Sequence, residues 1–558
     1  MTMTSSFLSD LPFGVAAPII ALVLLLLTTK SLWTKTSRLS LPPGPKRLPL
    51  IGNLHQVPKS LQWLHFYHWS REYGPVMHLS MAGQPLILLS TNQAAQDLLS
   101  RRSAQYSDRP RMVMSGELVT KGMHMLLRQY DAQYKLHQRM EAPLLNVKAS
   151  SCYRPIQEME SRQLLFDIIE DTKTHGNKGV DFHHHFERGL ASIIYSGYRL
   201  RTGYEQSLQD AKRVQAEFAR TGQVGAYLVD SFPILNHLPA FLAPWKKEGA
   251  QLYELERNLH VGNLEKGLQN PGWNFTKHMA QSAEAKGMST EELAFDLGIM
   301  ADAALDTSTV AMDWLVVAWI TTGGGGERGF VTKAQADLDH VVGRGRLPMF
   351  EDRPRLPYID AIVNEVLRWR PVVVGGVPHA TKKEDTYMGY RIPAGSLVMG
   401  NHYAITRDES VFGADVDAFQ PERWLQYPDS DLKPNADINH EECTLKDLPQ
   451  TGFGFGRRIC TGRNIARNGL FIQVARLLWA FDVEAGVVSE VTGERHRVDD
   501  MDCTEGFVTM PKPFRASFRP RGDWVREIVA GQCDTHGMDH VAILDQAGRE
   551  RKVTIGKE

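Results

Sequence analysis

The segment FGFGRRICTG, residues 453–462, brings one cysteine, Cys460, to the end of a glycine-rich loop. The stretch from about Thr461 to Phe481 follows directly and predicts a helix. Glycines let a backbone turn tightly and approach a flat ligand closely, and the N–H groups at a helix start favour a thiolate over a thiol. The pattern therefore predicts a thiolate presented to a bound group. On Cys460 alone, a buried cysteine beside a turn is the alternative.

The composition is that of a large globular protein. The chain has 558 residues, of which 42% are hydrophobic, so it can bury a sizeable core. Its net charge of −1 gives no indication of a nucleic-acid partner. Five cysteines are scattered without a CxxC pair, which argues against a disulfide scaffold and fits a reducing compartment.

The N-terminus predicts a membrane anchor. Residues 11–29, LPFGVAAPIIALVLLLLTT, contain no charge and are long enough for a helix to cross a bilayer. The leader lacks Lys and Arg, whereas Lys30, Lys35 and Arg38 follow the apolar run. Positive charges flank the cytoplasmic side, so the rest of the chain should face the cytosol. A cleaved signal peptide is the alternative, but its basic leader is missing.

Patterning along the remaining chain predicts a mainly helical protein with small β-sheets. Residues 76–91 predict two strands joined near Ala82-Gly83-Gln84, and residues 293–320 predict a long, buried central helix. The predicted organisation is an anchor and linker over 1–40, one large domain over 41–520, and a polar C-terminal extension over 521–558 without an assigned role. Residues 429–447 are polar and predict a surface insertion.

Three further segments place charged or hydroxyl side chains at positions where local structure alone does not explain them. Glu365 and Arg368 of NEVLR lie at i and i+3 on one helix face, which on its own also fits a solvated ion pair. Arg423 belongs to FQPERW, residues 419–424. Asp306 and Thr307 lie in the middle of the apolar helix, where an acid and a hydroxyl are poor helix formers. Thr307 bonding back to its own helix is the structural alternative.

In their order along the chain, these segments resemble the motifs of the cytochrome P-450 family, most closely its microsomal members from filamentous fungi. Residues 453–462 resemble the FxxGxRxCxG signature, and the others resemble the ExxR, FxPERW and (A/G)Gx(D/E)T(T/S) motifs. The resemblance implies the cytochrome P-450 fold and a haem b whose axial ligand is Cys460. It also implies that Arg458 binds a haem propionate. The other residues that it places in the haem-binding loop are Phe453, Gly454 and Gly462.

The same resemblance implies roles for further residues. It makes Asp306 and Thr307 the pair that activates oxygen, whereas Glu365, Arg368 and Arg423 hold the proximal side of the fold. It implies that His379 contacts a haem propionate. The WxxxR motif is altered, with Tyr134 at the Trp position and Gln138 at the Arg position, and the adjacent Arg139 is expected to substitute for the missing arginine. The expected substrate-pocket residues are Ala303, Ala304, Val373, Val374 and Phe507. Ala304 stands where the family usually has glycine.

The function that the resemblance implies is monooxygenation of a hydrophobic small molecule with O2 and NADPH-derived electrons, in fungal secondary metabolism. Only 98 residues follow Cys460, too few for a flavin reductase domain. The expected partners are therefore NADPH–cytochrome P-450 reductase and, as a second electron donor, cytochrome b5, at the endoplasmic reticulum membrane with one span. The alternatives are a thiolate-haem isomerase or dehydratase that needs no O2, oxidation of small aromatics in catabolism, and a haem-binding protein without turnover.

Overall fold

The computed structural model describes residues 39–58, 60–194, 206–223, 225–323, 329–425, 452–532 and 540–555. The predicted anchor helix and the predicted insertion at 429–447 lie outside these residues. The helices of ten or more residues are α1 Gln62–Tyr73, α2 Ala132–Leu145, α3 Arg154–His175, α4 Phe182–Ile194, α5 Gln206–Thr221, α6 Pro244–Gln269, α7 Thr290–Thr322, α8 Phe330–Val341, α9 Pro357–Trp369, α10 Arg463–Ala480, α11 Asp523–Gln532 and α12 His540–Ile555. The mainly α class is confirmed.

Four small sheets accompany the helices. The strands are β1 Val76–Met81, β2 Gln84–Leu89, β3 His379–Ala380, β4 Asp385–Tyr387, β5 Tyr390–Ile392, β6 Leu397–Gly400, β7 Phe481–Ala485, β8 Val487–Ser489, β9 Glu494–Arg495 and β10 Ala516–Pro520. The largest sheet has the order β1-β2-β6-β3, and its first hairpin turns at Ala82 and Gly83 as predicted. The extended segment LPPGP docks on this sheet, because the His78 N–H donates to the Pro43 carbonyl at 2.9 Å.

The central helix α7 crosses the interior of the protein. Its second half is almost wholly buried, including Val310, Trp314 and Leu315. Among the described residues, α7 alone is long and apolar enough to cross a bilayer, but 72% of its most apolar window is buried. Since that surface packs against protein, α7 is a core helix, as predicted. It packs against α4, α6, α9 and α10.

The predicted boundary at residue 520 does not separate the C-terminal extension from the core. Val525 and Val529 on α11 belong to the main hydrophobic core. On α12, Arg551 is 5% exposed and donates to the Pro143 carbonyl at 3.4 Å. The ring of Trp273 lies 5.5 Å from the same guanidinium. Each helix therefore buries part of its surface against the domain, although the composition of the extension is polar on average.

Candidate active site

The loop before α10 presents Cys460 as predicted. The Cys460 N–H donates to the Phe453 carbonyl at 2.8 Å, which closes the loop on itself. Gly454 and Gly456 have φ of 87° and 56°, so both need the left-handed conformation that glycine adopts without strain. A Cβ on Gly456 would also lie 2.2 Å from the Leu99 carbonyl oxygen. The side chain of Cys460 is exposed within this compact loop.

The electrostatics of Cys460 differ from the sequence-based expectation. Backbone N–H groups of Gly462 and Arg463 do lower the pKa of the thiol, as the helix start predicts. Desolvation by the surrounding protein has the larger effect, however, and raises the pKa of the thiol overall. The local N–H donors therefore lower the pKa of the thiol but do not offset its desolvation.

A group of buried cations lies beside this loop. Arg458 donates to the Ser107 carbonyl at 2.7 Å, and its guanidinium lies 3.8 Å from the centre of the Tyr134 ring. Arg109 is 4% exposed and donates to the Pro378 carbonyl at 2.7 Å. Burial and the charge of Arg458 lower the pKa of Arg109 to about 9. In the described part of the chain, neither arginine forms an ion pair with a carboxylate, so the group is suited to bind anions.

His379 is the third member of this group. It is 5% exposed, and its Nδ1 donates to the Tyr106 carbonyl at 2.7 Å. Burial, followed by the charge of Arg109, lowers the pKa of His379 well below its usual value. Arg139, by contrast, is exposed and lies about 140° around α2 from Tyr134, so nothing in the structure supports its contribution to this group.

Glu365, Arg368 and Arg423 meet as predicted. Arg368 donates to both carboxylate oxygens of Glu365, at 2.7 and 2.8 Å. Arg423 donates to one of them at 3.1 Å, and the Trp424 indole donates to the other at 2.9 Å. Glu365 is completely buried. The alternative of a solvated ion pair is therefore wrong.

The acid and the alcohol of α7 have different surroundings. The Thr307 hydroxyl donates to the Ala303 carbonyl at 2.9 Å, one turn back, so the bond of the structural alternative is present. Its oxygen lone pairs remain able to accept a hydrogen bond. The pKa of Asp306 is raised to about 6, mainly by burial and then by the charge of Glu187, whereas His183 acts in the opposite direction. Ala303 and Ala304 are exposed, although the helix that follows them is buried.

The remaining predicted pocket residues divide between core and surface. Val374 is 4% exposed and belongs to the main hydrophobic core, so its assignment to the substrate pocket is not supported. Val373 packs at the edge of the same core, and Phe507 is 37% exposed. His183 hydrogen-bonds Asp313, and no group of three or more His, Cys, Asp or Glu side chains that could hold a metal ion occurs among the described residues.

Sequence reasoning missed Arg109. It stands in the segment SDRP, where nothing in the local pattern distinguishes it from a surface arginine. Its burial follows from contacts with carbonyls of residues 126, 377 and 378, which are distant in sequence. Only the folded chain shows that it shares a site with Arg458.

Comparison with known proteins identifies the class. The chain matches the sequence profile of the cytochrome P450 family over residues 42–518. It is 38% identical to the cytochrome P450 monooxygenase aneD of Aspergillus aculeatus, over 86% of this chain and 88% of that protein. It is 34% identical to the cytochrome P450 monooxygenase FrzL of Cladobotryum sp, over 92% and 94% of the two chains.

Among solved structures, a zebra fish cytochrome P450 determined with abiraterone superimposes with a TM-score of 0.62 at 20% identity. The superposition covers 82% of this chain and 100% of that one, and it confirms the fold. The chain therefore belongs to the cytochrome P450 family. It is a haem-thiolate monooxygenase that incorporates oxygen from O2 and binds a cysteine-ligated haem b. The buried cations without a carboxylate partner fit the two propionates of that haem.

Proposed function

We propose that Cys460 is the axial ligand and that Arg458, Arg109 and His379 hold the propionates, with Tyr134 packed against Arg458. The observation that carries this assignment is the placement of two buried arginines, Arg109 and Arg458, beside the cysteine loop, without an acidic ion-pair partner among the described residues. Burying unpaired cations is costly. A dianionic group that pairs with both arginines removes this cost.

We further propose that Asp306 and Thr307 deliver protons on the distal side. The haem, when bound, supplies the binding and activation of dioxygen. A carboxyl group whose pKa is about 6 can hold a proton and release it near neutral pH. The Thr307 hydroxyl is fixed in position by its bond to the Ala303 carbonyl and can still accept a hydrogen bond.

The proposed physiological reaction is oxidation of a hydrophobic small molecule in fungal secondary metabolism. The similarity to monooxygenases from Aspergillus aculeatus and Cladobotryum supports a fungal setting. NADPH–cytochrome P-450 reductase is the proposed electron donor, with cytochrome b5 as a second one. The intact acid–alcohol pair favours oxygen chemistry over an isomerase, a dehydratase or a haem protein without turnover.

We propose that the protein sits on the endoplasmic reticulum membrane through residues 11–29, with its catalytic domain in the cytosol. A second, exposed apolar segment supports contact with lipid. It lies between α5 and α6, and its exposed side chains are Leu228 at 70%, Phe232 at 46%, Ile234 at 74%, Phe241 at 83% and Leu242 at 49%.

The ligand assignment is tested by the spectrum of the reduced protein under CO. The unmodified protein should show the red-shifted Soret band of thiolate ligation, and Cys460→Ser should abolish it. Cys503→Ser is the matched control and should keep the band, because Cys503 lies in the core next to Met501 and Pro511. A normal band in Cys460→Ser would overturn the assignment. NADPH consumption that requires both O2 and a substrate would separate the monooxygenase from the isomerase.

A further inference from the structure

Two carboxylates and one imidazole meet at a buried point between α6 and α7. His260 of α6 is 1% exposed, and its Nε2 lies 3.5 Å from Glu256 Oε1 and 3.7 Å from Asp302 Oδ2. The ring of His260 rests directly on Gly298, where an added Cβ would lie 2.0 Å from Nδ1. Phe295 meets the same ring edge-on at 5.1 Å. The imidazole is therefore held firmly in this position.

The ion pairs within this cluster leave several of its polar atoms without a hydrogen bond. Both ring nitrogens of His260 and the Oδ1 of Asp302 are buried without a hydrogen bond to any described residue. Two carboxylates face a single imidazole, so acceptors outnumber donors. The pKa of Asp302 is raised to about 7 by burial, an effect that His260 opposes and that the charges of Glu256 and Asp306 reinforce. The imidazole therefore compensates only part of the negative charge.

Asp302 also lies next to the reaction site. It precedes Asp306 by one turn of α7 and adjoins Ala303 and Ala304, which are exposed. Its own carbonyl accepts from the Gln215 side chain of α5 at 2.5 Å, so α5, α6 and α7 converge here. The side chain of Asp302 is 16% exposed, whereas that of His260 is inaccessible. A ligand that lies along Ala303 could therefore reach the Asp302 carboxylate.

We propose that Asp302, supported by Glu256 and His260, binds the cationic nitrogen of a hydrophobic amine substrate. This inference rests on the proposed function and deepens it by naming the substrate class. An ammonium group supplies the two things that the cluster lacks, which are hydrogen-bond donors and positive charge. A hydroxyl group would supply a hydrogen-bond donor but would leave the negative charge of the cluster uncompensated. A metal ion is not the expected occupant, because no group of side chains that could hold one occurs among the described residues. The apolar remainder of the substrate would lie along Ala303 and Ala304.

The test compares binding of cations with binding of neutral molecules of the same shape. The probes are 1-methyl-4-phenylpiperidine against 1-methyl-4-phenylcyclohexane, and N,N-dimethyldecylamine against 2-methyldodecane. The full-length, haem-loaded protein in membranes is titrated at pH 7.5, and binding is followed by the shift of the Soret band to shorter wavelength. We expect at least one amine to bind about 30-fold more tightly than its neutral counterpart, the factor typical of one buried charge-assisted contact.

Asp302→Asn should reduce the ratio between the affinities for the amine and for its neutral counterpart to about one. Glu291→Gln is the control, because Glu291 lies on the same helix but pairs with Arg257 at the surface. If Asp302→Asn fails to retain haem, Glu256→Gln is used instead, because it removes a negative charge of the same cluster from the neighbouring helix α6. The proposal would be overturned if neither amine bound, or if each amine bound no more tightly than its neutral counterpart. It would also be overturned if the preference for the amine survived in both variants. The cluster would then hold an internal water molecule.

Two spectral results separate this inference from the proposed function. A protein without the red-shifted CO band fails the proposed function itself. A protein with that band but without a preference for cations fails only the substrate class. A shift of the Soret band to longer wavelength would mean that the amine nitrogen binds iron and not Asp302, and it too would contradict the proposal.

Discussion

Replacing the buried Glu365 by glutamine should destabilise the protein much more than the same change at an acid on the surface of this region. Glu365 is completely buried and accepts hydrogen bonds from Arg368, Arg423 and Trp424. Glutamine keeps the size of the side chain but removes its charge. Both guanidinium groups would then remain buried without a counter-charge, since their other contacts are backbone carbonyls.

The magnitude follows from the cost of breaking a buried ion pair on one side, about 3–5 kcal/mol. A typical domain is stable by only about 5–15 kcal/mol. The ratio of folded to unfolded protein should therefore fall by about 10²–10⁴. Arg368 and Arg423 both lose their partner through this one substitution, so the upper part of the range is expected.

The assay is urea unfolding followed by loss of the CO band, together with the haem content of the purified protein. Glu422→Gln is the matched control in the neighbouring segment: its carboxylate bonds Lys333 at 2.5 Å, but it is 34% exposed and should contribute at most about 1 kcal/mol. A Glu365→Gln protein that unfolds within about 1 kcal/mol of the unmodified protein would refute the reasoning. It would mean that the carbonyl contacts alone stabilise the two arginines.

Three further outcomes are expected. Thr307→Ala should leave the CO band and substrate binding intact but divert electrons from product to peroxide, with a loss of about 10²–10⁴-fold in coupled turnover; full, coupled turnover would exclude the hydroxyl from proton delivery. Removal of residues 1–40 should abolish the carbonate-resistant membrane association and preserve haem binding, which fractionation and the CO spectrum measure. The pKa of His183 is raised to about 9 by its bond to Asp313, although burial opposes this. The stabilisation from this pair is complete below pH about 6.5 and is lost as the pH rises through about 9. His183→Gln should therefore make the urea unfolding midpoint less dependent on pH between these limits. An unchanged pH dependence would contradict the pairing.

Much of the site could be predicted from the sequence because its residues lie in short, contiguous segments. The loop around Cys460 needs glycines at 454 and 456 for its left-handed turns, and such a requirement is visible in the sequence itself. Glu365 and Arg368 share a helix face because they are three residues apart. Asp306 is conspicuous because an acid rarely occurs within an apolar helix. The same argument applies to Asp302, one turn earlier, and could have identified it.

Other features depend on contacts between distant segments, and only the tertiary structure decided them. Arg109 joins Arg458 because carbonyls at 377 and 378 hold its guanidinium in the interior. His260 meets Asp302 because Gly298 lets α6 approach α7 closely. The net pKa of Cys460 is raised, against the local expectation, because desolvation depends on every neighbouring atom. The sequence alone thus determined the class of protein and its ligand loop, whose geometry is local. Burial and long-range charge determined the rest, since both exist only once the chain has folded.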